Sequence, residues 1–416
     1  MPMSEKWLYL PVEILTRELD GKLLLAYYAV KQNYNVIIGK KRKMWRYLSS
    51  FPKGILMSKG DPKLKKELFK AKELGHAVVE LDEEGLIFNE DTYLRRRMNE
   101  KYFKIVNQIY CWGNVQKDVI EKAYGHHEKI HLTGHPRFDL TKKKFRTIYN
   151  KEIQEIKRNY GDFILINTRF ARYNRKKDGF DNENQEMKKL YNYFIQMIKE
   201  LSQIRADLNI VVRPHQRENY NSYKDELSNF KNVSVLHSGS VIKWIIASKI
   251  VIHNGCTTGI ESFLLDKPVI SYMPFESEEN DEYLPNAISY KATCVDEINS
   301  FIDAYLTDGE IDEAKDQNNS IQKEILSKYY AAIDENYAYE EIIRLLDQIF
   351  VENESCLESS FLQNIGTTQI WKTKKGISAS KINAFFDKVN DIEKFENKKI
   401  FHQIDKDILL IKPNNN

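Results

Sequence analysis

Val251-Ile252-His253-Asn254-Gly255-Cys256-Thr257-Thr258-Gly259-Ile260-Glu261 decides how this chain is read. An apolar strand over 248–252 runs into a loop of small, hydroxyl-bearing and glycine residues that opens an amphipathic helix, and Lys267-Pro268-Val269-Ile270 begins the next strand. The first turn of a helix carries backbone N–H groups with no internal acceptor, and such groups hold anions. Gly255 and Gly259 are expected to let the backbone approach a ligand, and Thr257 and Thr258 to add hydroxyl donors. The competing reading is an ordinary strand-turn-helix unit with a threonine N-cap. The phosphate seat is preferred because two further segments agree with it.

The first is Ile210-Val211-Val212-Arg213-Pro214-His215-Gln216. A β-branched strand ends in a cation, a rigid proline and an imidazole, so Arg213 and His215 fall at a carboxyl-terminal strand edge, where open α/β sheets bind ligands. The second is Ala77-Val78-Val79-Glu80-Leu81-Asp82-Glu83-Glu84-Gly85-Leu86, a strand delivering three consecutive acids. Clustered like charges raise at least one carboxyl toward the range of a general base. Acidic runs are commonly solvated turns, and the position at the end of an apolar strand is what favours chemistry here.

Composition narrows the function classes. At 416 residues the chain makes two domains and an appendage. Sixty-three Lys and Arg against 60 Asp and Glu leave a net charge of only +3, so no global field draws it to nucleic acid. The basic runs at 40–43, 95–97 and 142–144 suit at most loose contact with an anionic membrane face. Cys111, Cys256, Cys294 and Cys356 lack CxxC spacing, which argues against a zinc site or disulfide framework and fits a reducing cytosol. The first six residues show no signal pattern, and no apolar run reaches the roughly 18 residues of a spanning helix. A cytoplasmic protein is expected, at most peripheral to the inner face of the membrane.

Strands and helices alternate along the chain. Strands are predicted at 7–12, 35–38, 55–57, 77–81, 108–111 and 130–132, with helices at 19–33, 61–74, 92–106 and 114–124 between them. A lysine-rich connector at 142–159 precedes a second series, with strands from 163, 209, 233 and 269 and helices at 184–205, 220–229 and 241–247. This is a doubly wound parallel pattern repeated twice. The domains are placed at 1–140, 141–160 as linker, 161–345, and 346–416 as a helical extension. That extension carries apolar clusters at Phe361-Leu362, Ala384-Phe385-Phe386 and 408–411, and is expected to pack back on the body or to serve a partner.

Two Rossmann-like domains, an acid-acid-Gly loop in the first and a basic-Pro-His segment and hydroxyl loop in the second resemble the GT-B glycosyltransferases that use CMP-activated sugars, including sialyl- and Kdo-transferases. More closely, residues 8–13, 17–26, the Asp82-Glu83-Glu84-Gly85 loop, Gly134-His135-Pro136-Arg137-Phe138-Asp139 and the stretch His253 to Glu261 resemble the "surface carbohydrate biosynthesis protein" family of bacterial polysaccharide loci. The resemblance covers roughly residues 7 to 350 and implies a GT-B-like fold with the two domains facing a central cleft.

It further implies transfer of a 2-keto-3-deoxy sugar acid from a CMP donor to a surface glycan or glycolipid, with neither metal nor other cofactor. Glu83 is then the first candidate for the base, followed by Glu84 and Asp82. Asn167, Thr168, Arg213, His215, Gly255, Thr257, Thr258 and Glu261 are candidates for the donor nucleotide, and Glu13, Arg17, Glu18 and Asp20 for the acceptor. Its Pro-His order reverses the His-Pro of the sialyltransferases. Three rival readings are a CDP-polyol phosphotransferase of teichoic-acid type, a UDP-sugar transferase or 2-epimerase in which Glu261 grips the ribose, and a non-catalytic assembly scaffold.

Overall fold

The computed structural model describes residues 5–60, 65–175, 179–180, 184–277, 280–308, 313–333, 335–352, 377–395 and 399–414. Cys356, the Phe361-Leu362 cluster and the start of the helix expected from residue 61 lie outside them. The chain divides into two compact units, one of residues 1–148 with 327–416, the other of 149–326.

In the first unit, β1 (Lys6–Val12), β2 (Tyr34–Lys40), β3 (Ile55–Ser58), β4 (Ala77–Glu80), β5 (Gln108–Cys111) and β6 (Ile130–Leu132) form a parallel sheet in the order β2-β1-β3-β4-β5-β6. Strands covered on both faces need apolar side chains throughout, and Trp7, Leu8, Tyr9 and Leu10 are all buried. The strand order reverses between β1 and β3, so a ligand crevice is expected at their carboxyl ends.

The helix expected over 92–106 is broken. Glu90–Thr92, a π-type turn Tyr93–Arg97 and Glu100–Ile105 replace it, because Asn99 Oδ1 accepts the Tyr102 N–H at 3.1 Å and caps a new start. Asp139, from the Gly134–Asp139 motif, caps in turn the returning helix Ala338–Leu346, accepting N–H bonds from Ala338 and Tyr339 at 3.0 Å each.

The second unit carries β7 (Phe163–Thr168), a small antiparallel pair β8 (Asn174–Arg175) and β9 (Gly179–Phe180), then β10 (Asn209–Pro214), β11 (Val233–Val235), β12 (Ile250–His253), β13 (Val269–Tyr272) and β14 (Tyr290–Ala292). Its main sheet runs β11-β10-β7-β12-β13-β14, all parallel, which is the Rossmann order 3-2-1-4-5-6. The reversal lies between β7 and β12. In register, Asn167 at the end of β7 stands beside Arg213 of β10 on one side and His253 of β12 on the other.

The tail holds the expected helix, Ala379–Glu393, and adds a hairpin that periodicity alone did not reveal: β15 (Lys399–Asp405) and β16 (Ile408–Pro413). β16 pairs antiparallel with β2 and brings the first sheet to eight strands. Ile408, Leu409, Leu410 and Ile411 are buried on that edge. Gly39 makes the approach feasible, since a Cβ there would sit 2.9 Å from the Asp407 carbonyl. Tyr27 and Tyr28, on the helix Leu15–Lys31, bond Asn390 and Glu393 of the tail helix at 2.9 and 2.7 Å.

Candidate functional sites

The carboxyl ends of β1, β3 and β4 carry a buried charge network. Lys59, just past β3, bridges Glu18 at 2.5 Å and Glu13 at 3.0 Å. Lys22, one helical turn beyond Glu18, reaches Glu83 at 3.1 Å and Glu18 at 3.5 Å, and donates to the Pro11 carbonyl. Arg17 pairs with Glu84, and Arg97, delivered by the π-type turn, pairs with Asp82. His135 Nε2 lies 3.4 Å from Glu83 while its ring stacks on Trp112, whose indole N–H donates to the Asp82 carbonyl at 2.6 Å. The Arg137 guanidinium lies over the same indole, 5.3 Å from its centre.

Residues assigned from sequence to two roles, acids of one loop and polar groups of the first helix, are thus joined by Lys22 and by the Arg17–Glu84 pair. Asp20 is half-buried on that helix. Sequence reasoning missed Lys22, Lys59 and Arg97 as partners. The Glu18-to-Lys22 spacing was the one local signal, because the other contacts are made across the sheet.

The network separates the three acids. Burial would raise Glu83, but Lys22, His135 and Arg137 outweigh it and hold the carboxyl well below the usual range. Burial dominates at Asp82 over the opposing pull of Arg97 and the Glu84 N–H, and lifts it to about 7. Burial and Asp82 together raise its neighbour Glu80. Glu84 is lowered, Arg17 overcoming its desolvation. Accessibility gives another order: the Asp82 and Glu83 side chains are 1% exposed, and that of Glu84 is 40%. Only Glu84 of the three presents its carboxylate to solvent, so the expected ranking with Glu83 first is not the ranking by access.

In the second unit, a three-residue loop, 254–256, joins β12 to the helix Thr257–Leu264, with Cys256 as N-cap and no side-chain cap. Thr257 is therefore the first helical residue and not the cap. The N-caps Asn99, Asn184 and Asn219 each bond a first-turn N–H of their own helices. Three buried polar atoms at this strand end have no hydrogen-bond partner among the described residues: Asn167 Nδ2, Asn254 Oδ1 and Thr258 Oγ1. Open first-turn N–H groups and uncommitted side-chain atoms suit an anion bearing oxygens.

Other expected contacts are tied up within the unit. Arg213 is buried and donates to the Ser238 and Gly239 carbonyls at 2.9 and 3.3 Å, its guanidinium over Trp244. Desolvation brings it down to about 9. It shapes the 238–239 turn in this structure. Thr168 Oγ1 lies 3.2 Å from Glu218 and 3.0 Å from Tyr223, and Glu218 also accepts the His215 N–H at 2.8 Å. Glu261 is buried on the helix Thr257–Leu264. The expected role of Gly259 changes: a Cβ there would overlap the His253 ring, so a neighbour within the fold requires the glycine. Gly255 sits at φ +69, where L side chains are strained.

The profile of a family described as "Protein of unknown function (DUF354)" matches residues 185–331. Comparison with curated proteins finds no match. Among solved structures, the chain is similar to UDP-GlcNAc 2-epimerase from Methanocaldococcus jannaschii in complex with UDP-GlcNAc and UDP, at 12% identity and TM-score 0.55 over 82% of this chain and 99% of that one. The enzyme of that name from Neisseria meningitidis, bound to UDP-GlcNAc, gives 14% and 0.52 over 83% and 100%. The wall teichoic acid polymerase TagF gives 12% and 0.55 over 83% and 88%. At these identities the likeness concerns the fold, which is α/β with two Rossmann-like units of the GT-B type.

Proposed function

We propose that this chain is a GT-B-type enzyme acting on a nucleotide-activated sugar, with the nucleotide phosphate seated on the helix Thr257–Leu264. One observation carries the reading: the uncapped start of that helix lies at the strand-order reversal of a 3-2-1-4-5-6 sheet, together with uncommitted atoms of Asn167, Asn254 and Thr258.

The finer reading is glycosyl transfer from a CMP-activated 2-keto-3-deoxy sugar acid to a glycan or glycolipid hydroxyl. The sugar–oxygen bond to phosphate breaks heterolytically, and the departing phosphate gathers charge that the Thr257 and Thr258 N–H groups and hydroxyls receive. The acceptor oxygen bonds to the anomeric carbon while its proton passes to a carboxylate. Glu84 is the acid open to solvent and takes that part, with Arg17 keeping it ionised and the Glu83–Lys22 pair fixed behind it. No described helix is long and apolar enough to cross a membrane.

A second reading, UDP-sugar chemistry, is favoured by Glu261, a buried carboxylate one turn into the same helix and suited to ribose hydroxyls. The 2-epimerases of similar fold are complexes of UDP-GlcNAc. Thermal-shift titration with CMP, CDP and UDP and their sugar conjugates separates the readings, because a ligand at 100 times its Kd stabilises by about 2.7 kcal/mol. Stabilisation by CMP and its ulosonate alone supports the first, by UDP alone the second, and by none of them removes both.

A further inference from the structure

His253 is fully buried at the end of β12, and neither the phosphate seat nor the charge network uses it. Its Nδ1 lies 3.0 Å from the Gly255 nitrogen and 3.3 Å from that of Cys256, and both N–H groups point to it as donors. Nδ1 must therefore carry a lone pair. Nε2 then carries the proton and donates to Ser289 Oγ at 2.9 Å, and that hydroxyl donates onward to the Pro285 carbonyl at 2.6 Å. Every polar atom in this chain has one consistent role, so the hydrogen-bond pattern fixes the neutral ring and one tautomer. Burial, followed by the nearby Arg169 charge, holds the imidazole down at about 3, so the ring stays neutral at physiological pH.

We infer that His253 is the positioning residue of the phosphate loop: Nδ1 takes the N–H groups of Gly255 and Cys256 out of reach of a ligand and leaves those of Thr257 and Thr258 as the donors that meet the anion. This rests on reading the start of the Thr257–Leu264 helix as the phosphate site. Two further facts tie the ring to the loop. Gly259 has no Cβ to collide with it, so the ring can lie directly beneath the first turn. Gly255 takes the positive φ that turns the chain back over Nδ1. The geometry accounts for a histidine where a purely apolar strand end would serve packing equally well.

Two amide replacements separate positioning from packing. In His253→Asn, Oδ1 stands near the place of Nδ1 and can still accept from the loop. His253→Gln is closer in volume but puts its amide near the place of Nε2. Calorimetric titration with CMP and UDP, and with cytidine and uridine as phosphate-free controls, should show His253→Asn within a few-fold of wild type. His253→Gln should lose about tenfold or more for the nucleotides alone, the scale of a lost hydrogen bond to a charged group.

Equal losses in both variants, or better retention by Gln, would overturn the inference in favour of packing. If wild-type protein binds neither nucleotide, the phosphate reading fails, and hydrogen exchange at residue resolution still tests the positioning. The Gly255 and Cys256 amides should exchange slowly in wild type and His253→Asn and quickly in His253→Gln; identical exchange in all three refutes it. Should both variants fail to fold, Ser289→Ala keeps the ring and removes the acceptor that selects its tautomer. Faster exchange at Gly255 and Cys256 then supports the role, and unchanged exchange overturns it.

Discussion

The strand-end regions of the two units solve the same problem with opposite materials. In the first unit, Glu13, Glu18, Asp82, Glu83 and Glu84 are matched by Arg17, Lys22, Lys41, Lys59 and Arg97 in a largely buried lattice of ion pairs. In the second, the groups around the helix start are chiefly main-chain N–H donors, a neutral imidazole, amides and hydroxyls, with the single ion pair Arg169–Glu282 beside Gly255, and the buried cation Arg213 donates to carbonyls among the described residues. A lattice of paired charges holds its geometry only while every partner is present. A seat of backbone dipoles depends on loop conformation and tolerates loss of one side chain. The geometry of the first arrangement therefore rests on every one of its side chains, and that of the second on the loop's backbone.

The strongest way to break this contrast is to remove one charge from the lattice. Lys22→Met leaves Glu18 and Glu83 short of a buried partner and should cost about 3–5 kcal/mol in denaturant-unfolding free energy. A loss below 1 kcal/mol would mean that water or neighbouring cations compensate, and the contrast would fade. Next in size, Glu84→Gln should lower kcat about 10²- to 10⁴-fold without changing CMP affinity. Parallel assays of Glu83→Gln and Asp82→Asn show whether the exposed acid or a buried one takes the proton. If none of the three loses more than a few-fold, the base lies elsewhere.

Acidity sharpens the comparison further. Asp82 titrates at about 7 in the fold against an ordinary 3.8, so between those values the folded chain keeps a proton that the unfolded chain has lost. Stability should fall as pH rises through that window and level off above it, by at most about 1.4 kcal/mol per pH unit for one proton. Urea midpoints at pH 5, 6, 7 and 8 should show a shallower slope in Asp82→Asn; an unchanged slope would assign the titration to another group. In the second unit Glu218, which burial raises to about 7, contributes with the same sign. The smallest effect is expected at the seat itself. Thr258→Val removes a hydroxyl and leaves the N–H groups, so CMP affinity should drop about tenfold or less while the melting temperature barely moves. A large fall in melting temperature would show that the hydroxyl is structural.

What the sequence disclosed follows the same division. Strands such as 163–168 and 269–272 were legible because they are largely apolar, and the β12-to-helix junction because small residues cluster there. The parallel, doubly wound character of the second sheet followed from the alternation of strands and helices, whereas its strand order is seen only in the structure. Partnerships were not legible. Nothing local links Lys59 to Glu13, or Thr168 to Glu218 fifty residues on. Arg213 looked like a phosphate ligand because a cation at a strand end is one kind of signal, whereas the carbonyls that hold it come from a turn 25 residues later. His253 stands in the 251–261 motif, just past the strand predicted at 248–252, and its role was not legible, since the partners of its ring nitrogens are not visible in the sequence.

The pairing of β16 with β2 has a consequence for how the polypeptide is made. Synthesis runs from the amino end, and the second unit is complete in sequence once residue 326 has emerged, its strand pairs joining segments fewer than about ninety residues apart. The first unit has by then produced β1 to β6 but not the strand that pairs with β2, which arrives only with Ile408–Pro413. Until then the β2 edge exposes unpaired backbone and the apolar surface that Ile408 to Ile411 will cover. The nascent protein thus finishes its later-encoded half first, and its earlier-encoded half spends the longest time as a target for chaperones and for self-association.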